Sequence, residues 1–140
     1  MPPARKAACS MPPDRPEVLL RKARQDELVL QKLLNDPEVD DDTLGFHAQQ
    51  AAEKMLKAVL ASRGVDYPKT HNLRVLIELL AQTGIRLPET LSEITRLTQF
   101  GTTFRYDTFE PAPYGERVKW LETIRSLRVF VEPLLRGTAE

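Results

Sequence analysis

Cysteine is scarce in this chain, neither sign of charge dominates it, and long apolar runs are missing from it. Cys9 is the single cysteine, which excludes an intramolecular disulfide framework and a metal site built from several cysteines. The 20 basic and 20 acidic side chains cancel at neutral pH, which excludes a strongly polycationic or polyanionic protein. No apolar run approaches the roughly 20 residues that a helix needs to span a bilayer. Arg5 and Lys6 are followed by no apolar stretch, so we expect no secretory signal, no membrane binding and a cytoplasmic location.

The length of 140 residues predicts a single domain with a core of its own. Five of the eleven prolines fall within the first sixteen residues, and a segment so rich in proline holds neither a helix nor a sheet ladder. We therefore expect residues 1–15 to be a disordered lead-in, residues 16–136 to form the folded domain, and residues 137–140 to be a tail.

Apolar residues recur at helical spacing after the lead-in, and no segment alternates with a period of two. Prolines, glycines and capping residues indicate where the helices begin and end. The predicted helices begin near Pro16, Thr43, Thr70 (as a cap), Pro88 and Gly115, and end near Asn35, Arg63, Gly84, Gly101 and Leu135. The chain is predicted to be all-α, an antiparallel helical bundle of four main helices plus one shorter helix.

The connection between the first two predicted helices is acidic. Its five carboxylates belong to Asp36, Glu38, Asp40, Asp41 and Asp42. Aspartate favours helix N-caps and the positive end of the helix dipole, which makes capping one interpretation. A metal or partner site is the other, although the ligand spacing and central glycine of a calcium loop are missing.

Asp26 does not fit a plain bundle, because it projects toward the centre of the first helix's apolar stripe, between Ala23 and Leu30. Burying a lone carboxylate is unfavourable, so Asp26 must be paired or lie at a wet edge. A structural ion pair and a functional-site residue are both open interpretations.

The second predicted helix carries a polar face opposite its stripe of alanine, methionine and valine. This face comprises Phe46, Gln50, Glu53 and Lys57, flanked by His47 and Lys54. An aromatic ring on a polar face suggests that another surface covers it. Phe46 is therefore a candidate for a subunit or partner interface, for packing by another segment of the chain, or for base stacking.

Six of the nine aromatic side chains fall between Phe100 and Trp120, interleaved with Arg105 and Arg117. Aromatic rings beside arginine can stack bases and hold phosphate. The same residues can instead plug one end of the bundle around a proline-containing loop, so both interpretations stay open.

Histidine is scarce as well. His47 and His71 are the only two, they lie on different predicted helices, and neither has the spacing of a zinc motif. We expect neither a metal nor a cofactor.

Several segments together resemble the HEPN domain family. The run GFHAQQAAEKMLKA, residues 45–58, is similar to the signature helix of that family. Thr70-His71-Asn72-Leu73 resembles its THxL helix start, and Phe104-Arg105-Tyr106 resembles its RY element. Asp26 falls where the family often has an acidic residue. The order and spacing agree from about residue 16 to residue 135.

The resemblance implies a bundle of four main helices plus a shorter one, commonly a homodimer. Such proteins accompany small nucleotidyltransferases, often as toxin–antitoxin pairs, and other relatives are metal-independent ribonucleases with an Arg-x4–6-His motif. Arg105 matches the arginine of that motif, but no histidine follows His71. Arginine stays protonated and cannot act as a base, so the nuclease motif is incomplete here. Glu110 has the right reach along the chain but is a weak substitute for histidine.

The leading hypothesis is a HEPN-type binding module that dimerises and associates with a small nucleotidyltransferase. It would contact a nucleotide or RNA near Lys54, Lys57, Arg105 and Tyr106. A polar network of Asp26, Gln50 and Glu53 would position these residues, with Lys54 paired to Asp26 and Arg105 paired to Glu53.

Two alternatives remain. One is a divergent HEPN ribonuclease toxin, in which Arg105 stabilises the phosphorane and Glu110, His47 or His71 moves the proton. The other is a purely structural dimeric partner protein, whose polar network serves stability alone.

Overall fold

The computed structural model describes residues 15–102 and 114–136, and this part of the chain is helical and contains no β-strand. Its elements are α1 (Pro16–Lys32), α2 (Asp41–Ser62), α3 (Leu73–Gln82), a 3₁₀ helix (Glu89–Thr98), α4 (Gln99–Thr102) and α5 (Tyr114–Arg136). The predicted all-α helical bundle is confirmed. The predicted tail and, apart from Arg15, the predicted lead-in lie outside the described residues. None of the described helices combines the length and the apolarity that crossing a membrane requires.

Helix α2 is the centre of the bundle, because α1, α3, the 3₁₀ helix, α4 and α5 all pack against it. Ala48, Ala51 and Ala52 are fully buried on it, and such small side chains let neighbouring helices approach closely. The longest packed seam joins α1 to α2, and α1 contributes Leu19, Ala23 and Leu30 to the core.

Glycine ends α2 where the sequence predicts it. Gly64 has a φ of 72°, a left-handed conformation that residues with a Cβ rarely adopt. The N–H of Gly64 donates to the carbonyl of Ala61, and the N–H of Val65 donates to that of Leu60. These two bonds form a Schellman motif, which satisfies carbonyls that the end of a helix leaves unpaired.

Helix α3 begins later than predicted, and the prediction of Thr70 as its cap is wrong. Asn72 is the N-cap, and its side chain accepts the backbone N–H of Arg74. The Thr70 hydroxyl instead accepts the N–H of Asn72 and shapes the turn before the helix. Asparagine is at least as good a cap as threonine, and the local sequence contains both.

The fourth predicted helix is mainly a 3₁₀ helix, with α4 as a short α-helical continuation. Its buried residues are Leu91, Ile94 and Leu97, which follow one another at spacings of three. A 3₁₀ helix has three residues per turn, so this spacing places all of them on one face. The apolar spacing of this segment therefore marks the face that is buried, whereas the type of helix differs from the predicted one.

Arg117 of α5 binds the acidic connection between α1 and α2. Its Nε donates to Asp41 Oδ1 at 2.6 Å, and its terminal nitrogens donate to the carbonyls of Leu34, Asp36 and Val39. One buried guanidinium thus satisfies three loop carbonyls and a carboxylate. This arrangement assigns Arg117 a structural role rather than base stacking.

The interpretation of the acidic connection as a helix-capping segment holds only in part. Asp40 is the N-cap of α2 but makes no side-chain capping bond, while Asp41 and Asp42 lie in the first turn, where negative charge is favoured. Among the described residues, no group of three or more His, Cys, Asp or Glu side chains is placed to hold a metal ion.

Replacing Arg117 with alanine will destabilise the fold by roughly 3 kcal/mol, because the carbonyls and Asp41 lose their buried donor. Arg117→Lys will recover only part of this loss, since one ammonium cannot reach the same set of acceptors. Urea unfolding followed by circular dichroism measures both. The exposed Lys119 is the control, and its alanine variant will stay within about 0.5 kcal/mol of wild type. Equal midpoints for the variants at both positions would contradict the role assigned to Arg117.

Candidate functional site

The first half of the candidate site is built on Asp26, a buried carboxylate on α1. Its Oδ2 accepts from Lys54 Nζ at 2.6 Å, and its Oδ1 lies 2.9 Å from His47 Nδ1. His47 and Lys54 are seven residues apart on α2, about two turns, so both reach the same side of the helix. The predicted pair between Lys54 and Asp26 is present, and His47 adds a second partner.

The second half is built on Glu53, which is also buried. Its Oε2 accepts from Lys57 Nζ at 2.7 Å, one turn along α2. Its Oε1 lies 2.9 Å from His71 Nδ1 and accepts from Gln49 Nε2, also at 2.9 Å. Gln50 lies at the edge of this group, with its Nε2 3.5 Å from Glu53 Oε1. Each of the two buried carboxylates of the site therefore holds one lysine and one histidine.

Gln49 is the residue of this site that sequence reasoning missed. It is fully buried, and its Nε2 also donates to the backbone carbonyl of His71 at 3.0 Å. Its Oε1 accepts from Gln50 Nε2 at 2.8 Å, so both ends of the amide are bonded. The spacing of four between Gln49 and Glu53 was the available signal, because side chains one turn apart on a helix are neighbours.

Two glycines bring α4 close to the site. A Cβ added to Gly101 would lie 2.7 Å from Gln49 Cδ, and one added to Gly45 would lie 2.6 Å from the ring of Phe100. Real Cβ atoms essentially never show contacts this short, so a side chain at either position would force Gln49 or Phe100 to shift. Phe100 also packs edge-to-face on Trp120 at 5.2 Å, which favours the interpretation of these rings as a plug.

The pKa of Glu53 is lowered from its ordinary value of 4.5. Burial by itself raises this pKa, but the hydrogen bonds from Lys57, His71 and Gln49 outweigh burial and favour the ionised form. At neutral pH Glu53 is therefore a carboxylate that can only accept hydrogen bonds. Nδ1 of His71 must then carry the proton, which leaves Nε2 of the neutral ring as the basic nitrogen.

The chemistry open to the site depends on which groups reach solvent. The His71 side chain is 54% exposed, whereas that of Lys57 is 15% exposed and lies over the ring of Tyr67. A phosphate could accept from the lysines, and His71 Nε2 could take up a proton. The carboxylates serve to orient both kinds of group.

Of the remaining predicted site residues, Phe46 is the one that belongs to the described part of the chain. Phe46 is half-buried and packs edge-to-face on the ring of His47, with 5.6 Å between ring centroids. Part of the Phe46 ring is therefore covered by its own chain. Arg105, Tyr106 and Glu110 lie outside the described residues, so the predicted pair between Arg105 and Glu53 stays a prediction.

A further buried ion pair, which sequence reasoning also missed, ties α1 to α5. Glu27 receives two bonds from the guanidinium of Arg128, at 2.7 and 3.0 Å. The hydrogen bonds to Glu27 raise the pKa of Arg128 above its ordinary value. Glu27 and Asp26 are neighbours in sequence but point to different helices, Asp26 to α2 and Glu27 to α5.

Replacing Glu53 with glutamine will lower the free energy of unfolding by about 2 kcal/mol at pH 7, because Lys57 and His71 lose an ionised acceptor. The folded pKa is depressed, so the contribution of Glu53 is present above its ordinary value of 4.5 and is lost as the pH falls through the folded value. The difference in the free energy of unfolding between wild type and Glu53→Gln will therefore narrow below about pH 4.5. Urea unfolding at a series of pH values measures it.

The control is Glu78→Gln on the exposed side of α3, which should show no such gap at any pH. A gap for Glu53→Gln that stays constant down to pH 3 would mean that its carboxylate charge contributes nothing.

Comparison with known proteins supports the resemblance found in the sequence. The family model described as HEPN domain matches residues 16–136, which is most of the chain. Among solved structures, the crystal structure of TT1696 from Thermus thermophilus is similar, with 27% sequence identity and a TM-score of 0.70. The match covers 86% of this chain and 98% of that one. No curated protein matches the sequence.

Proposed function

The chain belongs to the HEPN domain family, and on this basis we propose that it is a binding module. In this proposal it forms a homodimer, associates with a small nucleotidyltransferase and contacts a nucleotide or RNA through the polar face of α2. Lys54 and Lys57 are the proposed phosphate contacts on the described part of that face. Arg105 and Tyr106 belong to the same proposal on sequence grounds alone.

The observation that carries the proposal is that both lysines are held in place before any ligand arrives. Lys54 is fixed by Asp26 and Lys57 by Glu53. An ammonium has three N–H donors, and the contact with its carboxylate uses one of them. A phosphate that approaches this face can accept from the remaining donors while the carboxylates keep the lysines ordered, which reduces the entropy lost on binding.

Binding is favoured over catalysis because the family's ribonuclease motif is incomplete. No histidine follows Arg105 in the sequence, and arginine cannot take up a proton. The balanced charge of the chain also favours a small ligand over a long RNA, since tight sequence-independent RNA binding needs several phosphate contacts.

Replacing Lys57 with glutamine will weaken nucleotide binding about tenfold, because one charge-assisted hydrogen bond is worth roughly 1.5 kcal/mol. Fluorescence anisotropy with a labelled adenosine triphosphate and with a labelled ten-nucleotide RNA measures this, and Lys54→Gln should behave alike. The exposed Lys32 on α1 is the matched control, and Lys32→Gln should bind as wild type does.

Several outcomes would count against the binding module. Absence of binding by the wild type up to about 1 mM would refute the ligand-binding part. Variants at Lys54 and Lys57 that lose stability but keep wild-type affinity would favour the purely structural dimer. Light scattering on the same samples, with and without a small nucleotidyltransferase from the same organism, tests the homodimer and the partner.

One observation favours a second candidate, a divergent ribonuclease. The buried carboxylate of Glu53 holds Nδ1 of the exposed His71, which is the arrangement that orients a histidine as a general base. His71 Nε2 would take the proton of an RNA 2′-hydroxyl while the 2′-oxygen attacks phosphorus. The bond from phosphorus to the 5′-oxygen would break, and an acid such as His47 would protonate the leaving 5′-oxygen. The products are a 2′,3′-cyclic phosphate and a 5′-hydroxyl.

The ribonuclease candidate predicts that the wild type cleaves a labelled RNA and that His71→Asn loses at least about a hundredfold in rate, the scale of general acid–base catalysis. Arg105→Ala should lose activity as well, whereas the exposed Arg74→Ala should not. An intact RNA after incubation with folded wild type would exclude this candidate and leave the binding module.

A further inference from the structure

We propose that the outer face formed by α1 and α5 docks an acidic amphipathic helix of a partner protein. We call this surface the α1–α5 face and define it by Leu20, Arg21, Arg24, Leu28, Arg125 and Val129. It does not include the residues assigned above to ligand binding, so the two proposals stand or fall separately.

Exposed apolar side chains distinguish this face from the rest of the described chain. Leu28 is 38% exposed and Val129 is 66% exposed, and they are the exposed large apolar side chains among the described residues. They lie at the same level of the bundle, because their sequence neighbours Glu27 and Arg128 form the ion pair that joins α1 to α5. Exposed apolar side chains that cluster within a polar rim mark a surface that binds another protein.

A groove extends along the face from Leu28, one of these two side chains. Three adjoining depressions share Arg24 as a lining residue and follow α1 from Pro16 to Gln31, and the largest has a volume of about 550 Å³. Leu20 lines the groove toward one end and Leu28 toward the other. These leucines are eight residues apart, about 12 Å or two helical turns, so one helix with apolar residues on two successive turns matches the spacing.

The charge of the face selects an acidic occupant. The three depressions are lined by four arginines, Arg21, Arg24, Arg128 and Arg136, against three glutamates, Glu17, Glu27 and Glu132, and Arg125 lies beside them, 3.9 Å from Glu27. The groove's own carboxylates are already paired: Glu17 with Arg15 at 3.7 Å, Glu132 with Arg24 at 3.4 Å and Glu27 with Arg128. These pairs leave Arg21 and Arg136 as the lining arginines that hold no carboxylate of the groove. The excess positive charge around the groove is therefore available to carboxylates from outside.

The same features disfavour the other possible occupants. A second copy of this chain would bring an equally basic face, and like charges across an interface oppose association. Proteins that bind single-stranded RNA stack its bases on aromatic side chains. None of the residues that line the groove is aromatic. Aliphatic side chains beside arginines instead suit a leucine-and-glutamate helix.

The test uses the full chain and labelled alanine-based peptides of about 20 residues, long enough to be partly helical in water. Each peptide carries three leucines on one face, in one of three registers, with glutamates flanking them. We expect at least one register to bind with a Kd below about 100 µM by fluorescence anisotropy. Val129→Glu and Arg21→Glu should each weaken binding about tenfold, because one removes an apolar contact and the other reverses a rim charge.

Matched controls distinguish specific binding at this face from nonspecific peptide binding. Arg74→Glu makes the same charge reversal in the groove between α3 and the 3₁₀ helix, and it should leave peptide binding unchanged. Peptides with lysine in place of glutamate, or with the leucines moved off one face, should not bind. Arg21 and Val129 are both exposed, so folding of the variants is expected and is checked by circular dichroism.

The proposal is overturned if no register binds, if Arg74→Glu weakens binding as much as Arg21→Glu does, or if the scrambled peptide binds equally well. A ten-nucleotide RNA whose binding depends on Arg21 and Val129, with no peptide binding, would overturn it in favour of a nucleic-acid surface. A dimer of the chain that Val129→Glu dissociates, with no peptide binding, would overturn it in favour of a second copy.

Discussion

Glu53 imposes the constraint on which the candidate site depends. An ionised carboxylate inside a helical bundle needs hydrogen-bond donors on every side, because burial otherwise drives it to take up a proton. Glu53 finds them in Lys57 and Gln49 on its own helix and in His71, which directly precedes the N-cap of α3. The position of α3 relative to α2 is thereby tied to the charge state of one side chain.

The same physical rule operates at two other places in the bundle. Arg117 joins α5 to the connection between α1 and α2, and Glu27 joins α1 to α5 through Arg128. Apolar side chains would pack well in several arrangements, whereas a buried charge is tolerated only where its partners meet it. These contacts therefore favour the arrangement of the helices in which the partners meet, and removing one partner alone leaves the other charge buried and unpaired.

Sequence reasoning succeeded where the signal was local. Periodicity placed the helices, Gly64 ended α2 where expected, and wheel geometry singled out Asp26 as a residue that needs a partner. It failed where neighbours in space decide. The role of Gln49 depends on the backbone carbonyl of His71, which no pattern within α2 could indicate. The error over the cap of α3 was different in kind, because Thr70 and Asn72 were both present in the local sequence and Asn72 is the cap.

The sequence by itself determined the all-α class, the apolar stripes on which the helices pack and the HEPN family, because these follow from spacing and short motifs along one stretch of chain. Only the tertiary structure decided which charges meet. Glu27 and Arg128 are 101 residues apart, and Asp41 and Arg117 are 76 apart. The α1–α5 face likewise exists only once two distant helices lie side by side, since no local pattern specifies contacts between residues so far apart in the chain.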